Sequence, residues 1–496
     1  MGFGVALTPQ NLMFAFIGSV LGTLIGVLPG IGPMAGTAML IPLTFKLPAT
    51  GAIIMLAAIY YGTMYGGTIT SVLINVPGEA ASAITCLDGY QMARNGRAGV
   101  ALSISAIGSF IGGTLATMGL VLAALPLSRL ALRFGPPEFF GLMAVGLSLL
   151  MALAGKSIIK ALMMGVFGLL LAEVGMDPTE GVPRFTFGQA DLLTGLNFVP
   201  VIMGVFGIGE ILLNAESVYQ PVIGSKMSSL IPTKKDTRDS ALPIVRGTVI
   251  GFFLGLIPGM GPEIASFMSY IAEKKLSKYP EKFGTGVIEG VAGPETANNA
   301  FANAALIPLF TMGIPTTPTI ALLMGAFLMN GLVPGPTLFV ENPQVVWGVI
   351  ASLYVGNVML IILNLPLVGL WVSVLRIPYA VLFGLILAFC LVGAFSIDGR
   401  GFDVGVMILF GVLGYIFRKL DFPLAPMALT LILGPIMERA LRNSLELSNG
   451  DFFILFTRPI SGTLLALAGI IILTTLLRLI PRGRGIRRIR EEGGKS

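Results

Sequence analysis

Between Glu289 and Pro308 the chain reads EGVAGPETANNAFANAALIP, and Glu295, Asn299 and Asn303 recur there at i, i+4 and i+8. At helical periodicity these three form one polar stripe, with Asn298 beside it. Pro294 interrupts any incoming helix just before the stripe. A carboxylate in such an apolar run costs about 2.5 to 3.5 kcal/mol on membrane-insertion scales, so Glu295 calls for a cation, a proton or a buried donor. The plainer alternative is a structural carboxylate bonded to backbone. Glu289 reads as an interfacial residue near Lys282.

A second cluster lies in YYGTMYGGTITSVLINVPGEAAS, residues 60–82, where Tyr65, Gly66, Gly67, Thr68, Thr70, Ser71 and Asn75 stand among aliphatic residues. Hydroxyls and an amide can replace the hydration of a carboxylate or a sodium ion without placing fixed charge in an apolar medium. Each hydroxyl alone is better explained by hydrogen bonding between helices, and it is as a cluster that they point to binding. Glu79 and Asp88 follow this cluster and read as loop acids, solvated or lining an access path.

The third group is duplicated. Residues 18–33, GSVLGTLIGVLPGIGP, align without gaps to 247–262, GTVIGFFLGLIPGMGP, with eight of sixteen positions identical. Gly18, Gly22, Gly26 and their counterparts Gly247, Gly251, Gly255 fall every fourth position, giving a small-residue face for close helix contact. Pro29, Gly30 and Gly32, and Pro258, Gly259 and Gly261, then break the helix. Such breaks are tolerated at membrane depth only inside protein or beside a water-filled cavity. Two opposed tips would present helix N-termini to an anion and free carbonyls to a cation; a kinked packing motif is the bland reading. A looser echo sets LINVPGEAASA around Pro77 against FTMGIPTTPTI around Pro315, which brings in Thr316 and Thr317.

The elements that must carry these residues are membrane helices. Of 496 residues, 55% are hydrophobic and 11% charged, against the roughly 25% charged usual in soluble domains. Apolar stretches recur along the whole chain, several shorter than the ~20 residues needed to span. The expectation is an all-α polytopic membrane protein of about 10–14 segments, some re-entrant or broken. There is no histidine, and the two cysteines, Cys86 and Cys390, lie far apart. Imidazole metal ligands and Ser-His-Asp or Cys-His catalysis are thereby excluded, so no enzyme, resident metal or cofactor is expected.

Charge placement orients the copies. No charge precedes the first, whereas Lys226, Lys234, Lys235, Arg238 and Arg246 precede the second. After the looser match the pattern reverses, with Arg94 and Arg97 following the first copy only. The positive-inside rule then gives an inverted repeat. Lys274, Lys275, Lys278 and Lys282 place both ends of 247–272 on the cytoplasmic side, making it a hairpin with PGMGP at its tip. The expected divisions are a first half at 1–223 broken at 29–33, a basic cytoplasmic loop at 224–246, a second half at 247–477 broken at 258–262, and a basic tail at 478–496. That tail holds seven Lys or Arg and two Glu, most of the net charge of +6, so the C-terminus is expected in the cytoplasm. Nucleic acid is not an expected partner. Arg376, Arg418, Lys419, Arg439 and Arg442 read as interface markers. The N-terminal run lacks the basic n-region of a cleaved signal and is expected to be retained.

The segments GVLPGIGP, LDGYQMARNGRAG, GVPRFTFG, GLIPGMGPEIASFMSYIAEKK, EGVAGPETANNA and LFTMGIPTTPTIALLMGAF resemble the large membrane subunit of the tripartite tricarboxylate transporters. The resemblance runs from about residue 14 to 460. It implies a bacterial inner-membrane permease that works with a small integral membrane subunit and a periplasmic solute-binding protein. It implies uptake of an organic carboxylate driven by an ion gradient, and it places the three residue groups above in the family's characteristic segments. Asn330 stands where many relatives carry a histidine, which removes a protonation role there, and Thr316 and Thr317 replace a glycine common in the family.

These readings converge on a binding-protein-dependent secondary carrier importing a tricarboxylate or related carboxylate with Na⁺ or H⁺. An anion bound without nearby Arg or Lys would need dipoles and co-bound cations. The alternative is a channel or passive pore for small anions or ions, since paired re-entrant hairpins also build channels.

Overall fold

The structure, a computed structural model, describes residues 1–28, 31–131, 133–153, 157–177, 180–215, 230–374 and 379–477. Pro29, Gly30, Lys226, Arg376, the first part of the basic loop and the 478–496 tail lie outside them. The regular structure of the described residues is helical, apart from a two-stranded antiparallel ladder pairing Gly175 with Arg184 and Met176 with Pro183. Among the described residues, six helices are long and apolar enough to cross a membrane. Shorter apolar ones include Ile158–Ala172, Phe198–Leu213 and Pro318–Met329. The protein is an all-α polytopic membrane protein.

Each glycine face docks on the long helix that follows it. A Cβ added at Gly18 or Gly22 would meet the Met55 or Ile59 carbonyl oxygen of Ala49–Ile74 at 2.5 Å. In the second copy, a Cβ at Gly247 would meet Gly293 O at 2.4 Å, and one at Gly251 would meet Ala297 O at 2.2 Å, on Glu289–Ala304. Only glycine lets backbones approach this closely, so dispersion contacts and Cα–H···O contacts replace side-chain packing.

Both hairpins exist as helix pairs. Pro9–Val27 turns into Gly32–Leu40, with the Ile25 side chain against Gly36. Lys234–Gly255 turns at 256–261 into Pro262–Leu276. Arg246 Nε donates to Glu273 Oε1 at 2.7 Å and ties the open end of the second hairpin. Its first helix begins with a capping box, Thr233 with Asp236, so residues 234–246 are helix where a loop was expected.

The looser echo has a structural counterpart. Ala49–Ile74 ends at Asn75 with φ +58° and the Glu289–Met312 run ends at Gly313 with φ +71°, both left-handed caps. Pro77 and Pro315 follow two residues later, then Glu79 and Thr317 as N-caps of Ala80–Ala83 and Pro318–Met329. Pro77 and Pro315 are 238 apart, while Gly18 and Gly247 are 229 apart. The shifted offset is an insertion of nine residues between the second hairpin and its long helix.

The next long helix after each left-handed cap packs on the long helix of the other copy. Gly356 lies against Tyr61, and Gly348 against Thr50, so Pro343–Asn364 follows Ala49–Ile74. Gly112 lies against Thr296 and Gly113 against Asn303, so Ala98–Ala131 follows Glu289–Ala304. Each pair runs in the same sense along its own axis.

Candidate functional site

Four helix starts meet at one cleft of about 620 Å³. Its lining includes Gly32 to Ala35 at the first hairpin tip, Pro77 to Ala81 at the first break, Gly259 to Glu263 at the second tip, and Thr316 to Thr319 at the second break. Tyr60 and Met64 form the floor. Helices Gly32–Leu40, Pro262–Leu276 and Pro318–Met329 carry proline at N1 or N2, where a missing N–H costs nothing. Helix N-termini carry partial positive charge, and several converging on one volume suit an anion. Gly259 N–H donates to Thr316 O at 2.9 Å, so the second tip is pinned to the second break. Thr316 Oγ1 donates to Ala305 O, and Thr317 Oγ1 accepts from Ile320 N–H at 3.2 Å. Gly32 and Gly259 hold φ of +66° and +84°, which a side chain would strain. Pro258 sits in the same turn, one residue before Gly259; Pro29 and Gly30 lie outside the described residues.

Behind the cleft runs a buried polar seam. Glu295 is 1% exposed and accepts hydrogen bonds from Thr68 Oγ1 at 2.5 Å and from Thr85 Oγ1. Asn298 Nδ2 donates to Glu79 Oε1 at 2.7 Å, and Asn299 Nδ2 to Ser109 Oγ at 2.7 Å. Asn303 Nδ2 donates to Asn299 O, and Asn303 Oδ1 accepts from Thr117 Oγ1. Asn298 Oδ1, Asn299 Oδ1 and the Tyr60 hydroxyl are buried with no hydrogen-bond partner. Buried acceptors left unpaired are costly, so these atoms are available to a cation or ligand.

The remaining residues of the second sequence cluster serve the first break. Thr70 Oγ1 donates to Gly67 O, and Ser71 Oγ lies within hydrogen-bond distance of both Gly67 O and Ser82 Oγ, at 3.0 and 2.9 Å. Asn75 is exposed as the left-handed cap and does not line the cleft.

Three charged residues of the cleft escaped sequence reasoning, and a fourth, Glu79, stood open between solvation and an access path. Glu79 is 5% exposed, caps Ala80–Ala83 and faces the cleft, so it is not a solvated loop acid. Its alignment with Thr317 was the signal that could have found it. Glu263 lines the cleft one residue after Pro262. Arg418 and Glu210 form an ion pair in the cleft wall. Arg418 is therefore no interface marker, and the site is not free of cationic side chains. Asp88 is also buried: it accepts from Tyr270 Oη at 2.9 Å and from the N–H groups of Gly284, Gly286 and Val287. It organises the loop before Glu289.

A helical membrane protein whose broken helices converge on a central polar cleft has the form of a multi-pass transport protein. Residues 12–429 match the Tripartite tricarboxylate transporter TctA family, and the chain belongs to it. A protein of Agrobacterium vitis described as "Uncharacterized 52.8 kDa protein in TAR-I ttuC' 3'region" is 49% identical over 478 residues, 96% of this chain and 95% of that protein. A second from the same organism, "Uncharacterized protein in TAR-II ttuC' 3'region", is 48% identical over 227 residues, 46% of this chain and 94% of its own length. No solved structure matches the chain.

Proposed function

We propose that the protein is the large permease subunit of a binding-protein-dependent secondary transporter, importing a tricarboxylate or related organic carboxylate together with Na⁺ or H⁺. The convergence of four helix N-termini on one cleft carries this reading, because it supplies positive potential from backbone dipoles where an anion would sit. The cleft also holds Glu79, Glu210 and Glu263 against one arginine. A polyanion entering such a site needs accompanying positive charge, which would make coupling obligatory.

The coupling ion is assigned to the seam at Glu295. Its carboxylate accepts from neutral hydroxyls, and the unpartnered oxygens of Asn298 and Asn299 belong to the same helix three and four residues on, a hard-oxygen set suited to Na⁺. The Asn298–Glu79 hydrogen bond links this seam to the cleft, so occupancy of one would bias the other. The opposed charge patterns and the exchange of long helices between the copies support an inverted repeat, with movement of the repeat-built core against the remaining helices giving alternating access. The partners in this reading are a small integral membrane subunit and a periplasmic solute-binding protein, in a bacterial inner membrane with the C-terminus in the cytoplasm.

Uptake of labelled citrate and succinate into proteoliposomes, with and without the binding protein and an imposed Na⁺ or H⁺ gradient, tests this. Uptake should require both. Flux indifferent to the gradient would replace the carrier with a channel.

A further inference from the structure

Part of the cleft wall is built from two helices packed side by side. The run Phe198–Ile202, Met203–Ile208 and Gly209–Ala215 packs on Gly401–Lys419. A Cβ at Gly204 would lie 2.3 Å from Met407 O, and one at Gly414 would lie 2.7 Å from Val205 O. Met203–Ile208 is a π-helical turn, a feature that re-aims the residues after it and recurs at functional sites. Glu210 follows that turn directly and meets the Arg418 guanidinium. Phe206, one turn earlier, places its ring centroid 6.0 Å from Arg418 Cζ. Phe206, Glu210 and Arg418 all line the cleft, and Arg418 is the only Lys or Arg among the described lining residues.

We propose that Arg418 is the carboxylate-binding cation of the cleft and that Glu210 is its internal competitor, occupying the guanidinium until a substrate carboxylate displaces it. A guanidinium fork recognises any carboxylate in the same geometry, so the side chain of Glu210 and a carboxylate of the substrate are chemically equivalent partners. Of the cleft's three glutamates, Glu79 is committed to Asn298 Nδ2 and its own helix cap, Glu263 lies at the second tip, and Glu210 is the one ion-paired with Arg418. The pair keeps a half-buried arginine neutralised in the cleft and sets a threshold that only a carboxylate crosses, which excludes neutral solutes of similar size. Because the pair sits on this wall and the four helix starts on the repeats, a carboxylate bridging them would join the two bodies. This inference rests on the carboxylate reading given above.

The test is citrate uptake by proteoliposomes holding the complete system, with succinate as a second probe. Glu210→Gln removes the competitor and should lower the half-saturation concentration by about threefold or more, while Arg418→Gln should raise it by about tenfold or more and Arg418→Lys by less. The double variant should behave as Arg418→Gln. A Glu210→Gln variant with unchanged or weakened affinity would overturn the competitor role, since a purely structural pair predicts loss. If Arg418→Gln does not fold, Glu210→Gln and Arg418→Lys decide. Thr317→Val separates the two levels. If it abolishes uptake while the Glu210 and Arg418 variants change nothing, this inference fails and the cleft reading stands; if all the variants transport like the parent, the cleft reading fails as well.

Discussion

Replacing Gly251 by alanine puts one methyl group where the two backbones of the second copy touch. The new Cβ would lie 2.2 Å from Ala297 O and 2.9 Å from Ala297 C and Cα, closer than real Cβ contacts. Relief requires the helices to separate by about 1 Å, and such overpacking costs about 1–3 kcal/mol. Alanine's better helix propensity returns up to about 1 kcal/mol, which leaves a net loss. Rotation gives no escape, because Gly247 and Gly255 are held as closely, at 2.4 Å from Gly293 O and 2.8 Å from Phe301 O. The same helix ends at Gly255, about 6 Å further on at 1.5 Å rise per residue, and the turn that follows carries the Gly259 tip. A displacement near 1 Å there should slow transport by an order of magnitude or more, by analogy with misplaced catalytic groups. Gly405→Ala is the control: nothing lies within 4 Å of its added Cβ in Gly401–Lys419, so it should be neutral or stabilising by about 0.5–1 kcal/mol. Thermal unfolding of the purified protein in detergent and carboxylate uptake measure both effects. A Gly251→Ala protein as stable and as active as the parent would refute the close-packed hairpin.

Glu295→Gln removes the buried charge but keeps an acceptor for Thr68 or Thr85. It should fold as well as the parent, since a buried charge is a liability once unpaired, yet lose ion-dependent uptake; normal uptake with unchanged ion dependence would defeat the assignment. At the N-terminal end of Lys234–Gly255, burial works to raise the Asp236 carboxyl, but hydrogen bonds from the Thr233 hydroxyl and N–H and from the Arg97 guanidinium outweigh it and hold it below the usual range. Its stabilising contribution is fully present above the unfolded carboxylate pKa of about 3.9 and is lost as pH falls through the lower folded value. Arg97→Ala should therefore lower the unfolding midpoint at neutral pH and shrink its fall between about pH 5 and pH 3, whereas identical pH profiles would contradict the pairing.

The duplicated GxxxGxxxGxxPGxGP was enough to anticipate two helical hairpins and their contact faces, because close helix approach and helix breaking are local backbone properties. The i, i+4, i+8 stripe likewise placed Glu295, Asn299 and Asn303 on one side of one helix. What lay beyond reach was set by distant partners. Arg418 reads in sequence as the basic end of an apolar run, and only the packing of Gly204 and Gly414 turns it toward Glu210 and the cleft. Asp88 reads as a solvated acid until the 284–287 loop folds its N–H groups onto it. Glu79 was hidden by the nine-residue insertion that blurred the second half of the repeat. Asn75, by contrast, owes its amide to the left-handed cap, a backbone need that resembles a binding residue in sequence.

The central claim is that a carboxylate sits in the cleft where the four helix starts meet. With Cys86 and Cys390 replaced by serine, Thr317→Cys supplies a single thiol at the second break, and the rate of its modification by a small maleimide can be followed. Saturating the system's transported carboxylate should slow that labelling in the presence of the coupling ion, and should leave a thiol at exposed Gly405 unaffected. Labelling of Thr317→Cys at the same rate with and without carboxylate would contradict the account.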